Sequence, residues 1–258
     1  MKNKFLIVVV LIAMFALAAC GGQATPAANT NTNTSTGGNQ AQPTTAAAAT
    51  AVVMNISKNI TLDPALASDA DSKSVIGYVY EGLLKLDNGS PAPALASSWT
   101  VSGDDLDYIF SLRSGATFHD GTPVNADAVI TNFNRWFDAK DTLHGSGAYS
   151  MWVADFGGFK GETANGKSKS EFDGIEKQND TTVIVHLNTP DPNLLTKLSD
   201  PAFSIVSPAA LQAAGFGTSS GKDGGSGAYK ISAWTATDLT LEAASSAVSG
   251  SIDFKFGQ

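Results

Sequence analysis

Apolar and polar residues alternate with several different spacings along this 258-residue chain, and each spacing predicts an element. Val52 to Ser57 reads as a first strand. Ser68 or Asp69 can cap a helix whose buried face is Val75, Ile76, Val79, Tyr80 and Leu83, ending in a C-terminal turn near Gly82. Trp99 to Ser102, a Gly103-Asp104-Asp105 turn and Tyr108 to Arg113 form a hairpin. In its second arm Tyr108, Phe110 and Leu112 alternate with Ile109, Ser111 and Arg113, the period of a half-buried strand. Asp120-Gly121 is a tight-turn pair. Asn125 is a good N-cap, Asp127 complements the helix dipole, and Val129, Phe133, Trp136 and Phe137 follow at helical spacing.

Asp138 to Lys177 carries no clear period and reads as the loosest part of the folded region, with Gly157-Gly158-Phe159 as a turn. Beyond it Val183, Val185 and Leu187 face one way, while Thr182, Ile184 and His186 face the other. Asp191 or Asn193 starts a short helix through Leu198, and Phe203 to Val206 is a brief strand. Ser207 caps a helix that Pro208 opens, where the missing N–H is harmless. Gly215 to Gly227 is a Gly/Ser loop, Ala228 to Trp234 and Asp238 to Ala243 make a second hairpin, and Ile252 to Phe256 alternates again. The pentapeptide Gly145 to Tyr149 recurs as Gly225 to Tyr229, but its flanks differ, so no structural repeat is expected.

Composition adds a compartment. Lys2 and Lys4 precede an apolar run, Phe5 to Leu17, that is short for a membrane span and reads as a secretory leader. Leu17-Ala18-Ala19-Cys20 resembles a bacterial lipobox, and Cys20, the only cysteine, has no thiol partner within the chain. Residues 1–20 are therefore expected to be a lipoprotein signal, with Cys20 the lipidated residue that anchors the protein to the cytoplasmic membrane. Residues 21–50 are uncharged and rich in Ala, Thr, Asn and Gln, the composition of a disordered tether. The net charge of −8 becomes −10 without Lys2 and Lys4, which excludes a nucleic-acid footprint and leaves the lipid anchor as the only membrane contact.

Candidate chemistry is sparse. Gly217-Thr218-Ser219-Ser220-Gly221 fits the pattern of a hydrolase elbow but lacks the strand before and the helix after. A secreted serine hydrolase using Ser219 is thus the alternative from another class, and a purely structural surface lipoprotein is a third. His119, His144 and His186 show no zinc spacing, and His119-Asp120 reads as a turn whose carboxylate bonds local backbone. A metal site on His119 or His144 ranks below a structural role. No phosphate-binding loop is present. No catalytic residue, metal site or cofactor is expected.

The wording of several segments is similar to that of the family 5 solute-binding proteins of ABC importers. The segments are "TLDP" at Thr61, "YEGLL" at Tyr80, "FSLR" at Phe110, "TFHDGTPVNADAV" at Thr117, "FSIVSPAAL" at Phe203 and "GAYKISAW" at Gly227. The likeness covers Val52 to Phe256; Ala243 to Val248 departs from it, lacking the family's Asn-Pro and Tyr-Trp pairs. It implies an α/β fold: a periplasmic-binding-protein-like class II lobe, a mixed sheet with helices, plus a small β-rich subdomain. Residues 51–83 and 189–258 would form the lobe, incomplete here, and residues 84–188 the subdomain. The second lobe is expected to be absent from these 258 residues, so the chain alone is expected to bind weakly or not at all. The partners implied are an oligopeptide or related small solute and ABC permease subunits, with the receptor a monomer. Asn59 and Tyr80 would border the ligand, with Tyr149 and Trp152 as the aromatic contacts.

Overall fold

The computed structural model describes residues 51–57 and 60–257. The leader, Cys20, the tether and Asn59 lie outside the described residues. In chain order the elements are β1 (Ala51–Ile56), a 3-10 turn (Pro64–Leu66), α1 (Ala70–Val79), β2 (Glu81–Gly82), β3 (Leu84–Asp87), β4 (Ser90–Pro93), β5 (Ala96–Val101) and β6 (Asp107–Leu112). Then come α2 (Ala126–Phe137), α3 (Ser150–Phe156), β7 (Thr163–Ala164), β8 (Lys167–Ser168), β9 (Phe172–Asn179) and β10 (Thr182–Leu187). The chain continues with α4 (Leu194–Lys197), a 3-10 turn (Pro201–Phe203), β11 (Ser204–Ile205), α5 (Pro208–Leu211), β12 (Tyr229–Trp234), β13 (Asp238–Ala243) and β14 (Ser251–Phe256).

Two four-stranded sheets organise these elements. One has the order β1-β14-β13-β12; β1 and β14 run parallel from Ala51↔Ser251 to Ile56↔Phe256, and the other pairs are antiparallel. The second is antiparallel throughout, in the order β5-β6-β10-β9. Two core clusters match them. Val75, Ile76 and Val79 of α1 pack with Leu239, Leu241, Ile252 and Phe254. Phe110, Phe133, Trp136, Trp152, Phe156, Phe172 and Phe203 make an aromatic core on the second sheet. Several of its rings meet edge-on, as between Trp136 and Phe203 (centroids 5.6 Å apart) and Phe137 and Phe172 (4.9 Å), an arrangement ring quadrupoles favour.

The amphipathic pattern of α2 holds in detail. Asn125 accepts from the Ala128 N–H (2.9 Å), and Val129, Phe133 and Trp136 are buried. The same face also buries Asn132. Its amide donates to the Val206 carbonyl (2.8 Å) and its carbonyl accepts from the Val206 N–H (3.1 Å), as a neighbouring strand would. This one side chain therefore fixes the end of β11 against α2.

Two segments differ from the sequence expectation. The helix over "YVYEGLL" stops at Val79, Tyr80 is extended, and Glu81–Gly82 is a strand paired with β11. The cause is tertiary: the Gly227 N–H takes the Val79 carbonyl (2.9 Å), and the Gly225–Gly227 backbone presses on the last turn of α1. The stretch Asp138 to Lys177 holds α3, the β7–β8 hairpin and most of β9. In β9 only Phe172 is fully buried and only Ile175 besides it packs against the core; the rest is polar or glycine, because the strand lies at the sheet edge.

Asn132→Ala leaves both Val206 backbone groups unpaired in the core and is expected to cost about 3 kcal/mol. Thr131→Ala, one residue away on the exposed face, should stay within about 0.5 kcal/mol. Urea unfolding midpoints at an unchanged m-value measure both.

Candidate functional site

Where parallel strands lie side by side, ligands collect outside their carboxyl ends. Here β1 and β14 end together: the Gly257 N–H donates to the Ile56 carbonyl (2.7 Å) and the Phe256 N–H to Thr237 (2.9 Å). A depression of about 420 Å³ opens at this edge, lined by Asn55, Thr237, Asp238, Lys255, Phe256 and Gly257. The Ser57 N–H donates to the Asp71 carboxylate (2.7 Å), which ties the strand exit to the first turn of α1. Asn59 stands two residues on in sequence, outside the described residues.

From Thr61 to Asp63 the chain is held residue by residue. Thr61 N–H donates to Ser72 Oγ (3.0 Å), and Leu62 N–H to the Gly217 carbonyl (2.9 Å). Asp63 caps the Pro64–Leu66 turn through the Ala65 N–H (3.2 Å). Its carboxylate also takes a two-pronged ion pair from Arg135: Nη1 to Oδ1 at 2.9 Å, and Nη2 to Oδ2. Arg135 Nε donates to the Leu143 carbonyl (2.9 Å), and the guanidinium lies 5.5 Å from the Tyr149 ring centre.

The Arg135 cluster decides what Tyr149 does. Its ring stacks on His144 (centroids 4.0 Å apart), and its hydroxyl donates to the His144 carbonyl (2.7 Å). Burial pushes the phenol up to about 12, against the pull of Arg135. Trp152 donates its indole N–H to the Gly158 carbonyl (3.0 Å) inside the aromatic core. Each is 1% exposed. The structure thus gives both residues to packing and not to a ligand-facing surface, because their polar atoms complete backbone carbonyls and their rings fill the core.

Tyr80 and Glu81 occupy a second depression, of about 230 Å³, where α1, the β2–β11 pair and the Gly227–Ala228 backbone meet. Tyr80 is buried in its wall; burial, with the charges of Asp223 and Asp63, pushes its hydroxyl well above the usual phenol range. Glu81 is gripped by Arg113 (2.8 and 2.6 Å), and Asp200 at the rim by Lys73 (2.8 Å). With these carboxylates paired, the lining keeps the Ser204 hydroxyl and the carbonyls of Gly227 and Ala228; the Ser199 hydroxyl already donates to Leu195 (2.7 Å) and the Gly227 N–H to Val79 (2.9 Å). Each of those carbonyls already accepts one bond, from His119 and from Ala244, and its second lone pair can still accept from a solute. The tie between Arg113 and Glu81 joins "FSLR" to "YEGLL", two segments visible in the sequence whose contact was not.

The hydrolase alternative finds no support in this geometry. The segment around Ser219 is a series of turns, with positive φ at Gly215 and Gly217, and no strand–elbow–helix forms there. Among the described residues no histidine bonds Ser219, and no three His, Cys, Asp or Glu side chains converge as metal ligands. His119 and His144 direct ring nitrogens at protein acceptors: Asp223 and the Gly227 carbonyl for the first, the Arg135 carbonyl for the second.

Residues 90–245 match the family described as bacterial extracellular solute-binding proteins, family 5 Middle. The glutathione-binding protein GsiB of Escherichia coli O1:K1 is 34% identical over 194 residues, which are 74% of this chain and 34% of that protein. The chain thus spans about a third of the length of the curated relatives it matches. Among solved structures, HbpA2 from Haemophilus parasuis superposes with a TM-score of 0.68 at 25% identity, over 81% of this chain and 43% of that one. The periplasmic binding protein DppA from Helicobacter pylori, in complex with the peptide STSA, gives 0.65 at 24%, over 80% and 42%. The mixed α/β architecture is accordingly of the periplasmic-binding-protein type.

Asp63→Ala strands the Arg135 charge in the core and should cost about 3–5 kcal/mol. The paired replacement Asp63→Leu with Arg135→Met should lose less than either single change, since no uncompensated charge remains. A double-mutant cycle from chemical denaturation reads the coupling.

Proposed function

The chain belongs to the family 5 bacterial extracellular solute-binding proteins, and from that premise we propose that it captures a peptide-class solute and delivers it to an ABC permease. The family works outside the cytoplasm. The feature that supports this reading most directly is the exit of the parallel β1–β14 pair, with its open depression beside a return loop locked by Asp63 and Arg135. A site built on strand ends and backbone groups suits an extended peptide, whose own backbone supplies matching donors and acceptors. One relative is named for glutathione, and the DppA structure is a complex with the peptide STSA. We place solute contact at Asn59 and along the depression walled by Tyr80.

Residues 51–83 and 189–258 are proposed as the lobe and 84–188 as the β-rich subdomain. The two core clusters support this division, although Ala65, Leu83, Leu194, Leu198, Phe203 and Ile205 of the lobe segments reach into the subdomain's core. Cys20 is proposed as the lipid anchor and residues 21–50 as the tether that holds a monomeric receptor off the membrane.

Backbone amide shifts during titration with a tripeptide test the location. Weak binding should move Ser57, Phe256, Gly257 and Gly227 while leaving His144 and Gly158 unmoved. No shift at saturating peptide, or shifts centred on the Ser219 turns, would reject the site. For the anchor, Cys20→Ala should move the expressed protein from the membrane fraction to the soluble fraction.

A further inference from the structure

One imidazole sits between the β6–α2 connection and the Asp223–Ala228 loop, with an acceptor on each side. His119 Nδ1 lies 3.0 Å from Asp223 Oδ1, and Nε2 lies 3.0 Å from the Gly227 carbonyl. Its backbone N–H donates to the Gly225 carbonyl (2.7 Å). A neutral imidazole has one N–H and one lone pair. Either neutral tautomer therefore turns a ring lone pair toward an oxygen. Only the imidazolium donates in both directions.

The loop on the other side is built around those bonds. Asp223 also accepts from the Gly225 N–H (2.8 Å) and the Ile231 N–H (2.8 Å). The Gly227 N–H caps the Val79 carbonyl at the end of α1, and Gly227 and Ala228 line the Tyr80 depression. Ser226 Oγ is shut away from solvent without a partner, so opening the loop would hydrate it and offset part of the cost of release.

The charged and titratable groups facing His119 come from each neighbouring element. Asp223 lies on the loop, Asp120 on the same turn and Lys230 on β12, while Tyr80 at the end of α1 faces Asp223. Lys230 opposes the imidazolium but is itself paired with Glu242 (3.2 Å). Burial works against ionisation of Asp120, yet hydrogen bonds from Ser207 and Thr122 and the His119 charge keep it below the usual carboxylate range.

We propose that His119 is a proton-operated latch. As the imidazolium it fastens the Asp223–Ala228 loop to the β6–α2 connection. On losing its proton it gives up one of its two ring bonds and loosens that loop, and with it one wall of the Tyr80 depression, while the His119 N–H keeps its hold on Gly225. The latch stands on loop geometry and holds for whatever solute the depression takes. Burial disfavours the charge, but the bonds to Asp223 and Gly227 outweigh it and raise His119 above its ordinary 6.5. The sign follows from linkage: the latch contributes fully below about pH 6.5 and is lost as pH rises through the higher folded-state value.

An NMR pH titration of the full chain tests this, following the His119 ring together with amide exchange at Gly225 and Gly227. The expected midpoint lies above about 6.5. Exchange, corrected for its intrinsic pH dependence, should step upward across that midpoint. Asp223→Asn should move the step to lower pH, and Lys230→Met to higher pH. In His119→Gln, which does not titrate and carries both donors on one nitrogen where the imidazolium has one on each of two, the step should vanish and exchange stay fast at every pH. A wild-type midpoint at or below the free-imidazole value overturns the latch, as does protection that is unchanged across the midpoint. Should His119→Gln prove unfolded by circular dichroism, the wild-type titration decides alone.

Discussion

Arg135 and Asp63 stand 72 residues apart in sequence and meet with side chains only 6% and 7% exposed. Taking two such ions out of water costs several kcal/mol each, and only a complete set of partners offsets that. The set is complete: both guanidinium nitrogens reach the carboxylate, Nε reaches Leu143, and the carboxylate also accepts from Ala65. Much of the neighbourhood is shaped to preserve it. Gly217 has no side chain because a Cβ there would strike Asp63, and Phe216 and Tyr149 lie against the guanidinium. Tyr149 accepts a left-handed backbone (φ 46°), uncommon for a bulky residue, to keep its stack and its hydroxyl bond. The pair joins the chain leaving β1 to the end of α2, so it also decides where the candidate ligand edge lies.

Glycine performs the matching task at the other depression. A Cβ on Gly225 would collide with the Val79 carbonyl, and one on Gly227 with the Tyr78 carbonyl. Backbone can therefore approach backbone there, ending α1 early and turning Tyr80 and Glu81 out of the helix. The recurring pentapeptide shows how far context governs outcome. Gly145–Tyr149 leads into α3 with Gly147 against Leu66, whereas Gly225–Tyr229 leads into β12 against α1. Identical local preferences give a helix start in one place and a strand start in the other, because the contacts that arbitrate are distant in sequence.

That contrast explains what could be read from the chain and what could not. Elements with a clean period were legible: β6 and β10 bury alternate residues as expected, and α2 begins on Asn125. The family wording was legible too, and with it the fold type. β9 was not, because an edge strand with one dry face over few residues carries little apolar signal. Tyr149 and Trp152 could not be assigned from sequence, since an aromatic after a Gly-rich loop looks the same whether it fills a core or faces a solute. Their hydrogen bonds to His144 and Gly158 are what separate the two cases. The partners of Arg135 and His119 were equally hidden, as nothing in their own segments points to Asp63 or Asp223.

A common rule runs through the charged groups at both depressions. Glu81 has Arg113, Asp200 has Lys73 and Asp238 has Lys255. A carboxylate already held by a cation attracts an incoming charge weakly, since the local field is close to neutral. On the proposed reading, what would remain to grip a solute is directional: carbonyls with a second lone pair and a few hydroxyls. Such groups read an extended backbone and are largely indifferent to the side chains it carries. The ion pairs would then act on selectivity indirectly, by fixing the walls, and breaking Glu81–Arg113 would alter which backbones fit more than how strongly charge is felt.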